Sequence, residues 1–188
     1  GKKSNADKGL MAFGSEGDVV IYKGYDPDNA AEDPSAFQLH GIWYVGPLPA
    51  GHRSVDPYGG DVSVISSFGL TQLSKLVSES GTPLGAQNDL GYKIDPLIQA
   101  AMRTLAGQDG WFIKALPREE SLIVGMPEAV TGAGVTHLNC LIKERSWSRF
   151  QELPFACYAN HDALIFAGGR NNATVSGNGK VYLAFEAE

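Results

Sequence analysis

The feature that most constrains the fold is a hairpin pattern that recurs along the chain. Gly9-Leu10-Met11-Ala12-Phe13-Gly14 leads into the turn Ser15-Glu16-Gly17-Asp18 and then Val19-Val20-Ile21-Tyr22. Near the other end, Ala163-Leu164-Ile165-Phe166-Ala167-Gly168-Gly169 precedes a polar turn through Ser176-Gly177-Asn178-Gly179, then Lys180-Val181-Tyr182-Leu183-Ala184-Phe185. Each is an apolar strand, a glycine-bearing turn and a second strand carrying Tyr, which reads as a β-hairpin. Two partial echoes lie between. One runs from Asp61 to Ser67 and on through Phe68-Gly69 to Leu73. The other runs from Ser121 to Gly125, through a loop at Thr131–Gly134, to Val135–Ile142.

Recurrence at about 40–60 residues is the mark of β-propeller blades. Trp-bearing strands accompany the units: Phe37–Val45 with Trp43, Gly110–Leu116 with Trp111, and Ser146–Phe150 with Trp147. Such aromatics are expected to pack between neighbouring blades; the alternative is three separate core tryptophans of a β-sandwich. One helix interrupts the pattern. Asp95 suits an N-cap, Pro96 the first helical position and Gly107 the end, and Ile98, Ala101, Met102 and Leu105 make one apolar stripe. The helix is expected to lie on a sheet edge, or else on a neighbouring subunit.

The expectation is therefore an all-β, mainly antiparallel fold, a propeller-like repeat of four-stranded blades with one inserted helix. Residues 1–8 are read as a flexible lead-in, a tag remnant or the cut edge of a longer polypeptide. Residues 9–188 form the propeller-like domain, with the helical insertion at about 95–107. About four blade-like units do not close a ring when propellers use about four to eight complete blades. The chain is read as a small irregular propeller or as part of one.

Composition agrees with many short strands and turns: Gly 23 and Pro 10 in 188 residues are both somewhat high. Charged residues, at 19%, fall below the roughly 25% of an ordinary domain, which points to surface committed to neighbours. The formal net charge is −6 and no Lys/Arg cluster marks a nucleic-acid footprint. Lys143-Glu144-Arg145 reads as a solvated strand edge. An acidic protein of this kind is a poor candidate for gripping DNA, while its charge is compatible with lining a passage through which DNA slides. No stretch approaches the roughly 18 apolar residues of a membrane span, and no signal peptide is read. Cys140 and Cys157 lie in apolar stretches and are read as free buried thiols, with a disulfide as the alternative.

No catalytic constellation emerges. His40, His52, His137 and His161 lack Cys or His partners at metal-ligand spacing. No nucleophile elbow or Walker-type phosphate loop is present. The acidic loop Asp26, Asp28, Asn29, Glu32, Asp33 places Ala31 and Phe37 where a calcium hand needs Gly and Glu, so it reads as a solvated loop with at most a casual calcium contact. Asn172-Ala173-Thr174 matches a glycosylation acceptor by pattern alone. Glu119-Glu120 follows Pro117 in a turn without apolar walls to raise a carboxyl pKa. No catalytic, cofactor-binding or metal residue is expected, and no enzyme or cofactor.

The stretch Gly17-Asp18-Val19-Val20-Ile21-Tyr22-Lys23-Gly24-Tyr25-Asp26-Pro27, with Leu39-His40-Gly41-Ile42-Trp43-Tyr44-Val45-Gly46-Pro47-Leu48-Pro49, resembles virion proteins of tailed bacteriophages with propeller-like folds. Gly59–Ile65 through Gly69–Ser74, Leu138–Cys140 through Ser146–Phe150, Ala156–Ala159 and Asp162–Gly169 are similar to the same group. The resemblance covers most of residues 9–186. It implies a nozzle, tail-tube or hub protein of a short-tailed phage, part of the DNA ejection channel. Its implied partners are copies of itself in a homo-oligomer ring, other virion tail proteins, and DNA passing through the lumen without specific binding. Its implied place is the virion tail, assembled in the host cytoplasm. Against that group the chain is read as lacking the N-terminal portion such proteins usually carry. The alternative is a glycan-binding or sialidase-like propeller recognising a host surface, which would want an Asp-box; Ser176-Gly177-Asn178-Gly179 is only an echo of one. A kelch-like scaffold is the weakest reading, since Gly59-Gly60 and Gly168-Gly169 lack the spaced Tyr and Trp.

Overall fold

Apolar stretches separated by glycine turns fold here as meanders, each strand pairing with the next in sequence. The computed structural model describes residues 8–78, 90–128, 134–162, 164–169 and 179–184. The chain divides into two compact units, Gly1–Leu48 and Pro49–Glu188.

In the first unit, β1 (Lys8–Phe13), β2 (Asp18–Gly24) and β3 (Phe37–Tyr44) form an antiparallel sheet in that order. The β1–β2 turn closes through Gly14 N–H to the Asp18 carbonyl at 2.8 Å. Gly17 in this turn has φ 101°, and a methyl there would run into the Gly46 backbone. Glycine is required on both counts.

The second unit opens with a meander of β4 (Val55–Tyr58), β5 (Asp61–Ser66) and β6 (Gly69–Gln72). Helix α1 (Leu73–Ser78) continues directly from β6, and α2 (Asp95–Leu105) follows. Then come β7 (Phe112–Leu116), β8 (Ser121–Pro127), β9 (Val135–Leu141) and β10 (Ser146–Leu153), a four-stranded antiparallel meander. The last sheet is β11 (Phe155–His161), β12 (Leu164–Gly169) and β13 (Val181–Ala184).

The β7–β10 sheet carries the core because both its faces are covered. Ile113, Leu122, Val124, Leu138 and Cys140 point to one side and join Ile65, Leu70 and the α2 stripe of Ile98, Met102 and Leu105. Phe112, Leu116, Ile123 and Val135 point to the other and join Ile165 of β12. Every residue of β8 is consequently buried. This is why Ser121-Leu122-Ile123-Val124-Gly125-Met126 reads as a continuous apolar run instead of an alternating one.

Several expectations are corrected by the structure. Among the described residues, only β7–β10 is four-stranded; the other three sheets have three strands each. The helix expected alone has a companion, α1, which begins at Leu73 where the sequence reading ended a strand. Helix α2 lies on a sheet face, against β6 and β8, and not on an edge, because its apolar stripe matches the inner face of the core. Asp95 is not the N-cap. That position is Ile94, with no side-chain cap, while the buried Asp95 carboxylate accepts the Leu70 N–H at 2.9 Å. Nor do Trp111 and Trp147 act as packing between sheets alone: their indole N–H groups donate to the carbonyls of Leu105 (2.9 Å) and Leu90 (3.0 Å). The first adds a second donor to a carbonyl of the last helical turn that also accepts the Gln108 N–H at 3.0 Å. The Thr131–Ala133 part of one expected turn and the Ser176–Asn178 part of another lie outside the described residues, as does Asn172-Ala173-Thr174.

Phe112 and Gly125 are cross-strand partners, and the Phe112 ring occupies the space a side chain at Gly125 would fill. Phe112 is buried, so its ring must shift within packed surroundings to admit a methyl. Gly125→Ala is expected to destabilise the fold by about 1–3 kcal/mol through overpacking. Gly60→Ala, at an open turn position, is expected to change stability by less than about 0.5 kcal/mol. Urea titrations of the two variants check this pair.

Candidate functional site

Three places in the structure are built differently from an ordinary solvated surface. The first is one face of the β1–β3 sheet. Pairing aligns Leu10, Tyr22 and Leu39 in one row across the three strands, and Ala12, Val20 and Ile42 in the next. Tyr44, opposite Asp18, extends the face. Leu10 is 57% exposed, Leu39 50% and Ile42 62%. The opposite face holds the buried Val19 and Ile21. Exposed apolar side chains scattered singly are ordinary, whereas rows of them in register make a continuous patch.

The second is the junction where β7 runs beside β4 and β11. Ile113 N–H donates to the Arg53 carbonyl at 2.7 Å, and Ala115 N–H to Asp56 Oδ2 at 2.8 Å. Lys114 Nζ stands 3.2 Å from Asp56 Oδ1, and Arg53 Nη1 donates to the Ala156 carbonyl at 3.1 Å. A cleft of about 320 Å³ follows this junction, lined by His52, Arg53, Asp56, Lys114 and Tyr158 among others. Its charged groups are occupied with one another and with backbone, which suits a structural joint.

The third is a cavity of about 290 Å³ between the β7–β10 and β11–β13 sheets. Register places Phe112, Gly125, His137 and Phe150 in one row across four strands. Because Gly125 has no side chain, the Phe112 ring and the His137 imidazole meet over it, edge to face, with centroids 5.3 Å apart. Phe155 stacks on the imidazole at 6.4 Å and Tyr158 meets it edge-on at 5.6 Å. His137 is only 2% exposed. Its Nε2 lies 3.0 Å from the Phe155 carbonyl oxygen, which can only accept, so Nε2 carries the proton and Nδ1 is a bare acceptor. Among the described residues, Nδ1 of His137 and Oδ1 of Asn139 are buried without a hydrogen-bond partner, and both residues line the cavity. Each such acceptor costs about 1–3 kcal/mol if nothing meets it.

Burial drives the His137 pKa from 6.5 down to about 4, against weaker opposing pulls from the Phe155 carbonyl and the Glu128 carboxylate. The same apolar surroundings push the Tyr158 phenol up to about 12, so it too stays neutral.

The remaining residues singled out in the sequence do not join these places in a reactive cluster. His40 is beside Lys23 Nζ at 3.2 Å, and His161 lies 3.4 Å from Asp162, all exposed. In the acidic loop, Asp33 Oδ1 accepts both the N–H (2.9 Å) and the hydroxyl (2.6 Å) of Ser35, while Oδ2 accepts the Tyr25 hydroxyl at 2.9 Å. These bonds, those from Ser35 first, hold the Asp33 carboxyl below its usual range. Among the described residues, no three His, Cys, Asp or Glu side chains converge as a metal would require. Glu119-Glu120 and Lys143-Glu144-Arg145 form the β7–β8 and β9–β10 turns, bridged by Lys143 to Glu120 at 2.6 Å on the surface. Arg145 there has φ 49°, so the basic run is a tight turn and not a strand edge. Cys140 and Cys157 are both free thiols, Cys140 buried and pushed up to about 11 by that burial. The sequence reading passed over His137 because the row that surrounds it depends on registers that no single stretch reveals.

No protein-family model, curated protein or solved structure matches the chain.

The neutral imidazole makes stability depend on pH. The unfolded chain takes up this proton near pH 6.5, the folded chain only near pH 4. Between these values the unfolded state binds more protons, so the contribution is complete above pH 6.5 and is lost as pH falls towards 4. At about 1.4 kcal/mol per pH unit the loss reaches about 3 kcal/mol. Urea unfolding from pH 7 to pH 4 is expected to show this loss in the native chain and its absence in His137→Gln. Parallel pH profiles for the two would mean that His137 is not held neutral.

Proposed function

We propose that this chain is a structural subunit of a tailed-bacteriophage tail, of the nozzle or hub kind, with no catalytic role. Copies of it form a ring around the DNA channel and contact other tail proteins of the virion. The observation that carries this reading is the exposed apolar face of the first sheet, with Leu10, Tyr22, Leu39, Ile42 and Tyr44 in register. An apolar patch centred on aliphatic and Tyr side chains is the chemistry of a protein interface core. A second copy of the chain is its occupant in this reading.

Chain order supports a propeller-like arrangement for the same reading. All four sheets are consecutive antiparallel meanders. In the second unit the first strand of each sheet, β4, β7 and β11, comes to one place, with β7 beside the other two. Inner strands of neighbouring blades meet in this way. A net charge of −6 suits a lumen that DNA slides past, because carboxylates and phosphates repel.

Light scattering after size exclusion, together with negative-stain microscopy of the purified chain, tests the proposal. Closed rings are expected, and a Leu39→Asp/Ile42→Asp variant is expected to be monomeric with an unchanged circular dichroism spectrum. Duplex DNA at physiological salt is expected not to bind either form. A monomeric native chain, assembly that survives both substitutions, or salt-sensitive DNA binding would each contradict it.

A further inference from the structure

A ring of identical copies needs two different surfaces on each copy, because a patch that pairs only with itself closes as a dimer. We propose that the β1–β3 face of one copy packs on the outer face of the β11–β13 sheet of the next. The inference rests on the reading of the chain as a ring-forming subunit and names the partner surface which that reading leaves open.

Two observations pick out this receiving face. The first is what the strands turn outward. Ile165 of β12 points into the core shared with Phe112 and Ile123, so its neighbours Leu164 and Phe166 face the other way. Pairing sets Leu183 of β13 opposite Phe166, and Val181 opposite Gly168. Val181 is 70% exposed, and Leu164 and Leu183 are exposed with it. The other exposed large apolar residues of the second unit stand apart, Phe68 and Tyr92 in turns, Leu141 on β9 and Phe150 on β10. Those four are ordinary scatter, whereas the β11–β13 residues adjoin as a patch. The second observation is the match between the two faces. Both sheets are three-stranded and antiparallel. The first puts outward the adjacent rows Leu10, Tyr22, Leu39 and Ala12, Val20, Ile42. The last puts outward Ala159, Phe166, Leu183 and Cys157, Gly168, Val181. Each pattern sets large side chains beside small ones, which is the relief that lets two sheets interdigitate about 10 Å apart. None of these residues carries a formal charge, so the contact strips no ion of its water.

The size of the contact favours a ring over a pair. Three strands about 4.8 Å apart, with about five residues rising about 3.3 Å each, make a face of roughly 14 Å by 17 Å. Packing one such face on another removes on the order of 800 Å² of surface over both partners, below the about 1,200–2,000 Å² of a stable pair. A single contact is therefore weak. In a closed ring every copy is held on two sides, and the last contact forms within the assembly.

Complementation between two variants of the full chain tests the pairing. Leu39→Asp/Ile42→Asp breaks the β1–β3 face, and Val181→Asp/Leu183→Asp breaks the β11–β13 face. Each alone is expected to sediment as a monomer with a native circular dichroism spectrum. Mixed at about 0.1 mM, where a weak pair still forms, they are expected to give a one-to-one heterodimer and nothing larger, because one intact contact is left between them. A gentler substitution covers the case in which Val181→Asp/Leu183→Asp fails to fold. Val181→Cys is expected to be protected from maleimide in the ring and to lose that protection when Leu39→Asp/Ile42→Asp is added. Rings that survive Val181→Asp/Leu183→Asp, folded variants that fail to complement, or a Val181→Cys thiol that labels equally in both backgrounds would overturn this inference and leave the tail reading standing. A monomeric native chain would overturn both.

Discussion

The second unit depends on how its edge strand β7 is satisfied. In its own sheet β7 has a neighbour on one side only, so the N–H groups of Ile113 and Ala115 point away from the ladder. Left bare in a buried place, such groups cost as much as lost hydrogen bonds. Here the Arg53 carbonyl takes one and the Asp56 carboxylate the other, with Lys114 balancing the carboxylate charge. A strand that would otherwise invite foreign pairing is thereby turned inward and joined to β4. Everything packed on the β7–β10 sheet relies on that joint.

Covering the sheet on both faces has a further consequence. Helix α2 and the β4–β6 meander pack on one side, and β11–β13 on the other, so every residue of β8 is buried. Gly125 at that point gives up side-chain burial and lets Phe112 and His137 close over the strand. The same small residue thus sets the core packing and shapes the wall of the cavity beyond it. The neutral state of His137 follows from that burial and not from any charged neighbour, since the Glu128 carboxylate pulls the other way.

Much of the strand content was legible because each hairpin advertises itself locally. Ser15 to Asp18 and Phe68-Gly69 are turn chemistry between apolar stretches, and both turns join paired strands. Helix α2 showed itself through its stripe and Pro96. What did not show was anything set by partners far apart in sequence. Asp95 looks like a cap until the Leu70 N–H, 25 residues earlier, claims its carboxylate. Trp111 and Trp147 read as blade packing because a sequence does not say which carbonyl an indole will reach. Strand number per sheet likewise follows from pairing and not from spacing. His137 was grouped with three surface histidines, although it alone is enclosed by rings drawn from β7 and β11. The exposed rows on β1–β3 were legible as residues but not as a face, since a bulge between Ile21 and Tyr22 shifts the alternation.

Amide hydrogen exchange at β7 tests the central claim most directly. If β7 is the joint described, the N–H groups of Ile113 and Ala115 exchange as slowly as those of the fully paired strand β8, and replacing Asp56 with Ala speeds Ala115 selectively. If these two amides exchange in the native chain at the rate of an open sheet edge, β7 is not joined to β4 and the account of the second unit fails.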